Sequence, residues 1–398
     1  MPGFIFVIFF VTVTAIVAAV HIYLWRTLRK KKLINERIAK YIKSLFIIGG
    51  VSIPLASVLW KISPSESLSP ISFFSSFWLG LVFFSFWVFF LLDLSLLLIF
   101  AVQRFTTRKD SLEEARENVD QSRRQFLVRT ASLTALAAST GIPALGTLSA
   151  YSDPDTTETL VRLPRWPRQL DGFRIAQLSD VHLGPTIGSS YIGHIVAKTN
   201  ALKPDIVCIT GDLVDGTVAV LGDAASQLGN LKSRYGTFFT TGNHEFYSDW
   251  SSWHHFLKRI EIRVLSNERV FIGDSVGFDL AGVHDIQGRA FGSEYSPNID
   301  QATSERNQDR ELILLAHQPR YISEIENHGV GLQLSGHTHG GQIWPFHYAV
   351  KLLHPYISGL HQHNNLTQIY VSRGTGFWGP PIRIGAPPEI SNLVIVNG

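Results

Sequence analysis

The sequence predicts a membrane-anchored α/β protein, in which a bundle of apolar helices precedes a domain of alternating strands and helices. Three observations support this fold class. Long apolar stretches lie within the first 102 of the 398 residues, and short apolar runs that end in polar residues recur between residues 173 and 334. Charge also divides the chain: residues 1–150 hold 16 Lys/Arg and 8 Asp/Glu, a net of +8, whereas residues 151–398 hold 19 and 24, a net of −5.

The composition excludes several classes of protein. Charged residues make up 17% of the chain, below the roughly 25% of soluble domains, which indicates membrane segments. The hydrophobic content of 45% is sufficient to bury a core and excludes a mainly disordered chain. Because the C-terminal part is acidic and has no basic run, we expect no nucleic-acid partner. The single cysteine, Cys208, excludes an internal disulfide framework, and we expect it to be a small buried hydrophobe.

Residues 1–126 are predicted to form about three transmembrane helices joined by basic cytoplasmic loops. Residues 4–25 contain no Lys, Arg, Asp or Glu, and a run of this length crosses about 30 Å of hydrocarbon at about 1.5 Å per residue. Residues 44–60 carry two glycines and a proline, so a thin span and a buried helix both remain open. Residues 71–102 can span with tilt and contain Asp93, which is either a functional site or a group that reaches the lipid headgroups.

The positive charges of this part predict its orientation. Eight Lys/Arg lie in residues 26–43, seven lie in residues 104–129, and only Lys61 lies between the two groups. The positive-inside rule places both basic groups in the cytoplasm, and the N-terminus and the loop around Lys61 outside. A patch that binds anionic lipids is compatible with the same orientation, because such patches are also cytoplasmic.

Residues 122–129, Ser-Arg-Arg-Gln-Phe-Leu-Val-Arg, precede a weakly apolar stretch rich in Ala, Ser and Thr. The pattern resembles a twin-arginine export signal, so the twin-arginine export machinery is an expected partner, although such signals usually stand at the extreme N-terminus. Residues 127–150 are therefore predicted to be a fourth span or an export-signal-like anchor, with cleavage and retention both open. Either alternative places the rest of the chain outside the cytoplasmic membrane, in the periplasm or at the cell exterior.

The C-terminal part is predicted to begin with a linker and an edge strand in residues 151–166, followed by one domain over residues 167–398. Apolar runs bounded by glycine predict buried strands, and the segments between them predict helices. The strands are expected at 173–178, 205–210, 237–240, 278–283, 312–315 and 331–334, and the helices at 191–202, 219–231 and 250–259. Open α/β sheets bind ligands beyond the carboxyl ends of their strands, so we expect the polar residues after these strands to share one site.

The residues after the strands are typical ligands of divalent metal ions. Asp180 and His182 are two residues apart, so both side chains can face one side and offer an oxygen and an imidazole nitrogen to a single ion. His337 and His339 repeat this spacing. Asp212 follows a glycine in a tight turn, and its two carboxylate oxygens can bridge two ions.

Two further residues complete this set of ligands. Asn243 adds a neutral oxygen, and His317 adds another imidazole. With Asp212 counted twice, the set gives four ligands to each of two ions and leaves positions open for hydroxide and substrate. Mixed His, Asp and Asn ligands suit Mn²⁺, Zn²⁺ or Fe²⁺. The sequence therefore predicts a dinuclear site with two divalent metal ions as cofactors.

Five ordered blocks carry a family resemblance. They are Asp-x-His at 180–182, Gly-Asp at 211–212, Gly-Asn-His-Glu at 242–245, the single His317, and Gly-His-x-His at 336–339. This order resembles the calcineurin-like metallophosphoesterase superfamily over residues 174–389, and the resemblance implies a four-layer αββα sandwich. Together with the twin-arginine-like residues, the run Gly-Thr-Gly-Phe-Trp-Gly-Pro-Pro at 374–381 is similar to the exported, membrane-linked bacterial subgroup.

The resemblance also implies roles for single residues. It implies that metal 1 is held by Asp180, His182, Asp212 and His339, and metal 2 by Asp212, Asn243, His317 and His337. His244 matches the family's non-ligand histidine, which contacts the phosphate and assists the leaving group. The implied activity is metal-dependent hydrolysis of a phosphoester, by a phosphodiesterase or phosphomonoesterase that uses a bridging hydroxide.

Membrane attachment favours an envelope or lipid-linked phosphoester as the substrate. The alternative is a non-catalytic metal-binding scaffold or a sensor module of a membrane complex, and the presence of all seven ligand positions together with His244 argues against it. Asp215 and Glu245 are expected to support the ligands. Several further residues can either line the cleft or have an ordinary structural role: His284, Asp285, Tyr247, Trp250, Phe377, Trp378 and Arg373.

Overall fold

The computed structural model describes residues 3–106 and 114–398 of the chain. The chain divides into two compact units, each described by itself below. The helical unit comprises Met1–Ser63 and Pro70–Thr147, and the α/β unit comprises Pro64–Ser69 and Leu148–Gly398. Part of the predicted basic loop at 104–129 lies outside the described residues.

The described part of the helical unit contains four long helices, α1 Gly3–Lys30, α2 Glu36–Ile62, α3 Ser69–Thr106 and α4 Glu114–Ala150. Each has an apolar stretch long enough to cross a membrane, at Val11–Lys30, Glu36–Trp60, Ser69–Val102 and Arg123–Ala150. The prediction of apolar helices ahead of an α/β domain is confirmed. Residues 44–60 belong to one 27-residue helix that continues through Pro54, as apolar spans tolerate. The twin-arginine-like residues lie inside α4 rather than before a helix.

Polar side chains within the helical unit have partners. Trp78 Nε1 donates a hydrogen bond to His21 Nε2 at 2.9 Å, and the other ring nitrogen of His21 lies 2.7 Å from a backbone carbonyl. Asp93 lies 2.8 Å from Lys31 Nζ and accepts a hydrogen bond of 2.8 Å from the Tyr23 hydroxyl. A charge in apolar surroundings is costly unless it is paired, so these two contacts stabilise the carboxylate in α3.

The α/β unit contains two six-stranded sheets. The strands of the first sheet are β1 Asp155–Leu163, β2 Phe173–Leu178, β3 Ile206–Thr210, β4 Thr237–Thr240, β5 Ile262–Val264 and β12 Glu389–Asn397. Those of the second are β6 Glu268–Gly273, β7 Gly277–Gly282, β8 Leu312–Leu315, β9 Leu332–Ser335, β10 Gly359–Gln362 and β11 Gln368–Val371. The strand orders are β1-β12-β2-β3-β4-β5 and β10-β11-β9-β8-β7-β6. Strands β2 to β5 are parallel, as are β7, β8, β9 and β11.

The two sheets pack face to face, and helices cover their outer faces. Ile175 and Cys208 of the first sheet share one buried apolar cluster with Phe278 and Ile313 of the second. The helices α5 Ser189–Ala201, α6 Val218–Ser226 and α8 Trp250–Arg259 lie on the first sheet, and α9 Ile299–Thr303 lies on the second. In α8 the buried residues Trp250, Trp253, Phe256 and Leu257 recur every three or four positions, which is why this segment is a helix with one apolar face. The expected αββα sandwich is confirmed.

The short apolar runs predicted the parallel strands well. Residues 173–178, 237–240 and 312–315 are strands with the predicted bounds, and the helix at 250–259 is also as predicted. The helix expected at 219–231 ends at Ser226 and is followed by a short 3₁₀ turn. The segment expected as a linker with an edge strand at 159–163 forms the longer β1, because nine residues pair with the C-terminal strand β12. Cys208 is buried in β3, as predicted.

Candidate metal centre

The seven predicted ligands lie beyond the carboxyl ends of five parallel strands. Asp180 and His182 follow β2, and Asp212 follows β3. Asn243 begins the short helix α7 Asn243–Tyr247, which follows β4. The remaining histidines follow β8 and β9 in the second sheet. The carboxyl ends of parallel strands meet at one edge of a sheet. The two facing sheets therefore bring all of these side chains to the same edge of the sandwich.

Three of the side chains form a first ligand group. His182 Nε2 lies 3.2 Å from His339 Nε2, and His339 Nε2 lies 3.5 Å from Asp180 Oδ1. Ligand atoms of the three residues lie within 4.8 Å of one another, and all three residues are buried. An imidazole pair and a carboxylate at this spacing can hold one divalent ion.

A second group lies beside the first. His317 Nε2 lies 3.2 Å from Asp212 Oδ2 and 3.2 Å from His337 Nδ1. Asp212 Oδ2 also lies 3.9 Å from His182 Nε2, which belongs to the first group. The Asp212 carboxylate therefore lies between the two groups, in the position that a bridging ligand requires.

Asn243 provides an independent test of whether these residues fit a metal ion. Its amide oxygen is buried and has no hydrogen-bond partner among the described residues. A buried polar atom without a partner is costly, so native proteins rarely leave one unless an ion or water satisfies it. The Asn243 oxygen is therefore free to bind a divalent cation, as a ligand of the predicted set would be.

Hydrogen bonds to the outer ring nitrogens orient two of the histidines. His182 Nδ1 lies 3.1 Å from Asp215 Oδ1, and His317 Nδ1 donates a hydrogen bond of 2.8 Å to the carbonyl oxygen of Thr210. With the proton on Nδ1, each ring presents the lone pair of Nε2 to the centre. Such partners of ligating histidines fix the tautomer and raise the basicity of the ligand.

Two of the candidate histidines have pKa values that favour the protonation state of a metal ligand. Burial lowers the pKa of His339 well below its ordinary value, and the neighbouring Arg383 guanidinium lowers it further. Burial and the nearby His317 ring likewise lower the pKa of His337. Both imidazoles are therefore neutral, which is the form that binds metal ions. Burial alone would raise the pKa of Asp215, but the rings of His182 and His244 outweigh it and hold this pKa below its usual range.

The backbone is strained at the ligand positions. Five of the seven candidate ligands have the positive φ that L-residues rarely adopt: 52° at Asp180, 51° at His182, 50° at Asp212, 71° at His337 and 51° at His339. Each such residue costs on the order of 1–3 kcal/mol and persists only where its surroundings enforce it. The turns that direct these side chains toward one another are therefore held by the fold around them.

Two glycines allow the ligand loops to approach closely. A Cβ atom at Gly242 would overlap Asp212 Oδ1, and a Cβ atom at Gly336 would overlap Asp180 Oδ2. Both residues belong to the blocks from which the site was predicted. Their role is steric, because any side chain at either position would displace a carboxylate of the centre.

His244 lies at the exposed side of the centre. Its Nδ1 lies 2.6 Å from Asp215 Oδ1, the same oxygen that His182 contacts, and its Nε2 lies 4.0 Å from Asp212 Oδ2. Burial alone would lower the pKa of His244, but Asp212 and Asp215 outweigh it and raise the pKa to about 10. The spacing also permits His244 to serve as a third ligand with His182 and Asp212. Its role as a proton donor stays a prediction.

The other residues that the sequence singled out lie either beside the site or in the core. Asp215 supports the two histidines as described, and Glu245 accepts hydrogen bonds of 2.6–3.0 Å from the backbone N–H groups of Gly242, Asp212 and Leu213. Trp250 and Phe377 are buried in the core. Tyr247 and Trp378 are exposed, with ring centroids 5.4 and 6.0 Å from that of His244.

Three of the other residues have structural partners. His284 Nδ1 lies 3.2 Å from the Thr241 hydroxyl, and Asp285 accepts hydrogen bonds from Gln287 N and the Gln318 side chain. Arg373 pairs with Glu389 at 2.7 Å rather than standing free for a phosphate.

The sequence prediction missed Arg383. This side chain is buried, its Nη2 lies 3.1 Å from His339 Nδ1, and it donates to backbone carbonyls of residues 373, 376 and 386. It thereby fixes the loop around the first ligand group. Its signal in the sequence is weak, because it is a single arginine in a stretch rich in Gly and Pro.

Comparisons with known proteins show which family this chain resembles. A family model described as calcineurin-like phosphoesterase matches residues 173–341. The chain is 39% identical to an uncharacterized metallophosphoesterase of Helicobacter pylori over 280 residues, which cover 70% of this chain and 74% of that protein. It is 38% identical to a Bos taurus transmembrane protein with metallophosphoesterase domain over 66% of this chain and 61% of that protein. An uncharacterized metallophosphoesterase of Aquifex aeolicus is 35% identical over 63% of this chain and 97% of its own length.

Proposed function

The chain belongs to the calcineurin-like phosphoesterase family, and from this premise we propose that it is a metal-dependent hydrolase that cleaves a phosphoester at a dinuclear centre. One observation supports the proposal above all others. Two groups of ligand atoms, each within 4.8 Å, are joined by the Asp212 carboxylate. A scaffold that has lost its chemistry has no need of such a centre with a partly buried histidine beside it.

The cofactors in this proposal are two divalent ions, with Mn²⁺, Zn²⁺ and Fe²⁺ as the candidates that suit these ligands. Asp180, His182, Asp212 and His339 would hold the first ion, and Asp212, Asn243, His317 and His337 the second. When bound, the ions would polarise the phosphate and lower the pKa of a water molecule so that it can attack phosphorus.

The side chains of this chain supply the remaining steps. The oxygen of water forms a bond to phosphorus, the phosphorus–oxygen bond of the ester breaks, and the departing oxygen takes a proton. His244 is placed to donate that proton, because Asp215 orients its ring through Nδ1 and leaves Nε2 toward the centre. General acid catalysis of this kind contributes about 10²- to 10⁴-fold in rate.

We further propose that the centre acts outside the cytoplasmic membrane on an envelope or lipid-linked phosphoester. Four apolar helices of sufficient length and the relative with a transmembrane name support membrane association. The distribution of Lys and Arg supports the outward orientation through the positive-inside rule. We include export by the twin-arginine machinery in this proposal, because residues 122–129 resemble its signal.

The test uses the full chain purified in detergent, with p-nitrophenyl phosphate as a monoester and bis-p-nitrophenyl phosphate as a diester. We expect nitrophenol release from at least one ester that requires added Mn²⁺, Zn²⁺ or Fe²⁺ and is lost in His317→Ala. A matched control is His194→Ala, because His194 also pairs with an aspartate but lies at the surface. If neither ester is hydrolysed with any of the metals, the scaffold alternative is favoured.

A further inference from the structure

Large apolar side chains are exposed beside the metal centre. We define the apolar rim as Trp344, Tyr348, Leu352, Leu353 and Trp378. Leu352 and Leu353 are 86% and 75% exposed, and the short helix that carries them, α10 His347–Leu353, has no buried residue. Such a concentration of exposed apolar surface usually marks a site of interaction with a protein, a ligand or a membrane.

The segment that carries most of the rim follows the candidate ligand His339 in the chain and ends beside the candidate ligand His337. It leaves the ligand His339 through Gln342, whose side chain donates a hydrogen bond of 2.9 Å to the carbonyl oxygen of Trp378 and accepts one of 3.0 Å from its backbone N–H. After α10 it returns to place the ring of His354 5.1 Å from that of His337. The segment therefore begins and ends beside candidate ligands of the centre, and Trp378 lies next to His244.

The charge of this region differs from that of the rest of the unit. Residues 151–398 contain 24 Asp/Glu and carry a net charge of −5, yet residues 327–388 contain no Asp or Glu, only Lys351, Arg373 and Arg383. Lys351 lies on α10 beside the rim leucines and is exposed. A segment with exposed aromatic and leucine side chains, a lysine and no Asp or Glu of its own suits the interface of a membrane that contains anionic lipids.

The loop that carries part of the rim packs against the end of the last apolar stretch of the chain. The main segment of the α/β unit starts at Leu148, within the apolar stretch Arg123–Ala150. Ala150 is buried in a cluster with Ile187 and Phe377, and the ring of Tyr151 lies 5.1 Å from that of Phe377. Phe377 directly precedes the rim residue Trp378. The first residues after the last apolar stretch thus pack against the loop that carries part of the rim.

We propose that the apolar rim inserts into the surface of the membrane that holds the apolar helices of this chain, and that the centre takes its phosphoester from a lipid in that surface. This inference rests on the proposed function and adds to it the docking surface and the substrate class. In this orientation the aromatic side chains would lie at the headgroup level and the leucines just below it, which would bring lipid phosphates beside the ligand loops.

The first experiment measures docking without any activity. The full chain with Leu352→Cys carries a nitrobenzoxadiazole label in vesicles of phosphatidylethanolamine and phosphatidylglycerol, with and without lipids that bear a spin label near the headgroup. The native Cys208 is buried and does not compete for the label. The control is Leu366→Cys, because Leu366 is 56% exposed and precedes β11, at the opposite end of the strand from the centre.

We expect spin-labelled lipid to quench the label at position 352 at least threefold more than the label at position 366. Equal quenching at the two positions would overturn the proposal. A label at position 352 that is shielded from aqueous quenchers and not quenched by lipid would also overturn it, since the occupant would then be a protein surface, such as a second copy of this chain.

The second experiment separates docking from chemistry. The double variant Leu352→Asp/Leu353→Asp is compared with Leu366→Asp in the same vesicles, on two matched pairs of esters. The diesters are methyl and hexadecyl p-nitrophenyl phosphate, and the monoesters are glycerol 3-phosphate and dioleoyl phosphatidic acid. We expect the double variant to keep its rate on the soluble member and to lose at least about tenfold on the lipid member, because the burial of one leucine alone is worth about that factor.

The outcomes distinguish the two proposals. Equal rates of the double variant and the control on the lipid ester would refute the rim as the docking surface, even if both remain metal-dependent esterases. No metal-dependent hydrolysis of any ester by the unsubstituted chain would refute the proposed function, and the quenching experiment would still decide whether the rim meets the membrane.

Discussion

Asp215→Asn is the most informative single substitution in this centre, because one oxygen of Asp215 serves two histidines with different roles. Oδ1 lies 3.1 Å from the Nδ1 of His182, a predicted ligand, and 2.6 Å from the Nδ1 of His244, the predicted proton donor. Asparagine keeps the shape and one oxygen acceptor but removes the charge. Both imidazoles then lose a charge-assisted partner while the fold around them is unchanged.

The expected effect follows from this geometry. Loss of a carboxylate behind a ligating histidine typically weakens metal binding or activity about 10- to 100-fold, which corresponds to about 1.4–2.8 kcal/mol. Because His182 and His244 share the oxygen, we expect the loss in two separate quantities. The dissociation constant of the more weakly held metal ion should rise, and kcat at saturating metal should fall, each by a factor in this range.

The assay is competition for metal with a chromophoric chelator, followed by kcat on whichever p-nitrophenyl ester the chain hydrolyses. The matched control is Asp153→Asn, because Asp153 also contacts a histidine, His194 at 2.8 Å, but does so at the surface. We expect the control to change neither quantity by more than about twofold. If Asp215→Asn also leaves both quantities unchanged, the shared oxygen does not organise the centre and the reasoning is wrong.

Four further substitutions test other parts of the molecule. Asp212→Ala should remove both ions, and elemental analysis that still finds two per chain would contradict the bridge. His244→Ala should retain both ions but lose about 10²- to 10⁴-fold in kcat on esters with poor leaving groups; an unchanged kcat would rule out proton donation. Glu245→Ala should lower the free energy of unfolding by about 3 kcal/mol or more, since three backbone N–H groups lose their acceptor at about 1–3 kcal/mol each; an unchanged denaturation midpoint would contradict this. Asp93→Leu should lower the Tm of the full chain by leaving Lys31 unpaired; an unchanged Tm would show that this pair does not stabilise the helices.

The parallel strands and the positions of the seven candidate ligands after them were predictable from the sequence for one physical reason. Each buried strand is a continuous apolar run that ends abruptly in glycine and polar residues, so the strand and its ligand are encoded within about ten neighbouring positions. Asp212 after β3 and His317 after β8 illustrate this local encoding. Their convergence then follows from the rule that such strand ends meet at one edge.

The parts that the sequence analysis missed depend on distant partners. β12 inserts between β1 and β2, so its place in the sheet is decided by residues more than 200 positions earlier in the chain. Arg383 is significant only because the fold brings it against His339. The helix α10 buries no side chain of its own and therefore has no apolar periodicity that would reveal it.

The left-handed turns have a consequence for any attempt to transplant this centre. Copying the seven donor side chains onto the strand ends of another α/β protein would supply the same oxygens and nitrogens. Loops with ordinary backbone conformations would not direct these atoms toward one another. The recipient would also need the surroundings that force Asp180, His182, Asp212, His337 and His339 out of their preferred conformations. A transplant would therefore have to include the ligand loops together with the residues that hold their backbone conformation. The seven donor residues alone would yield a weak and unselective metal chelator.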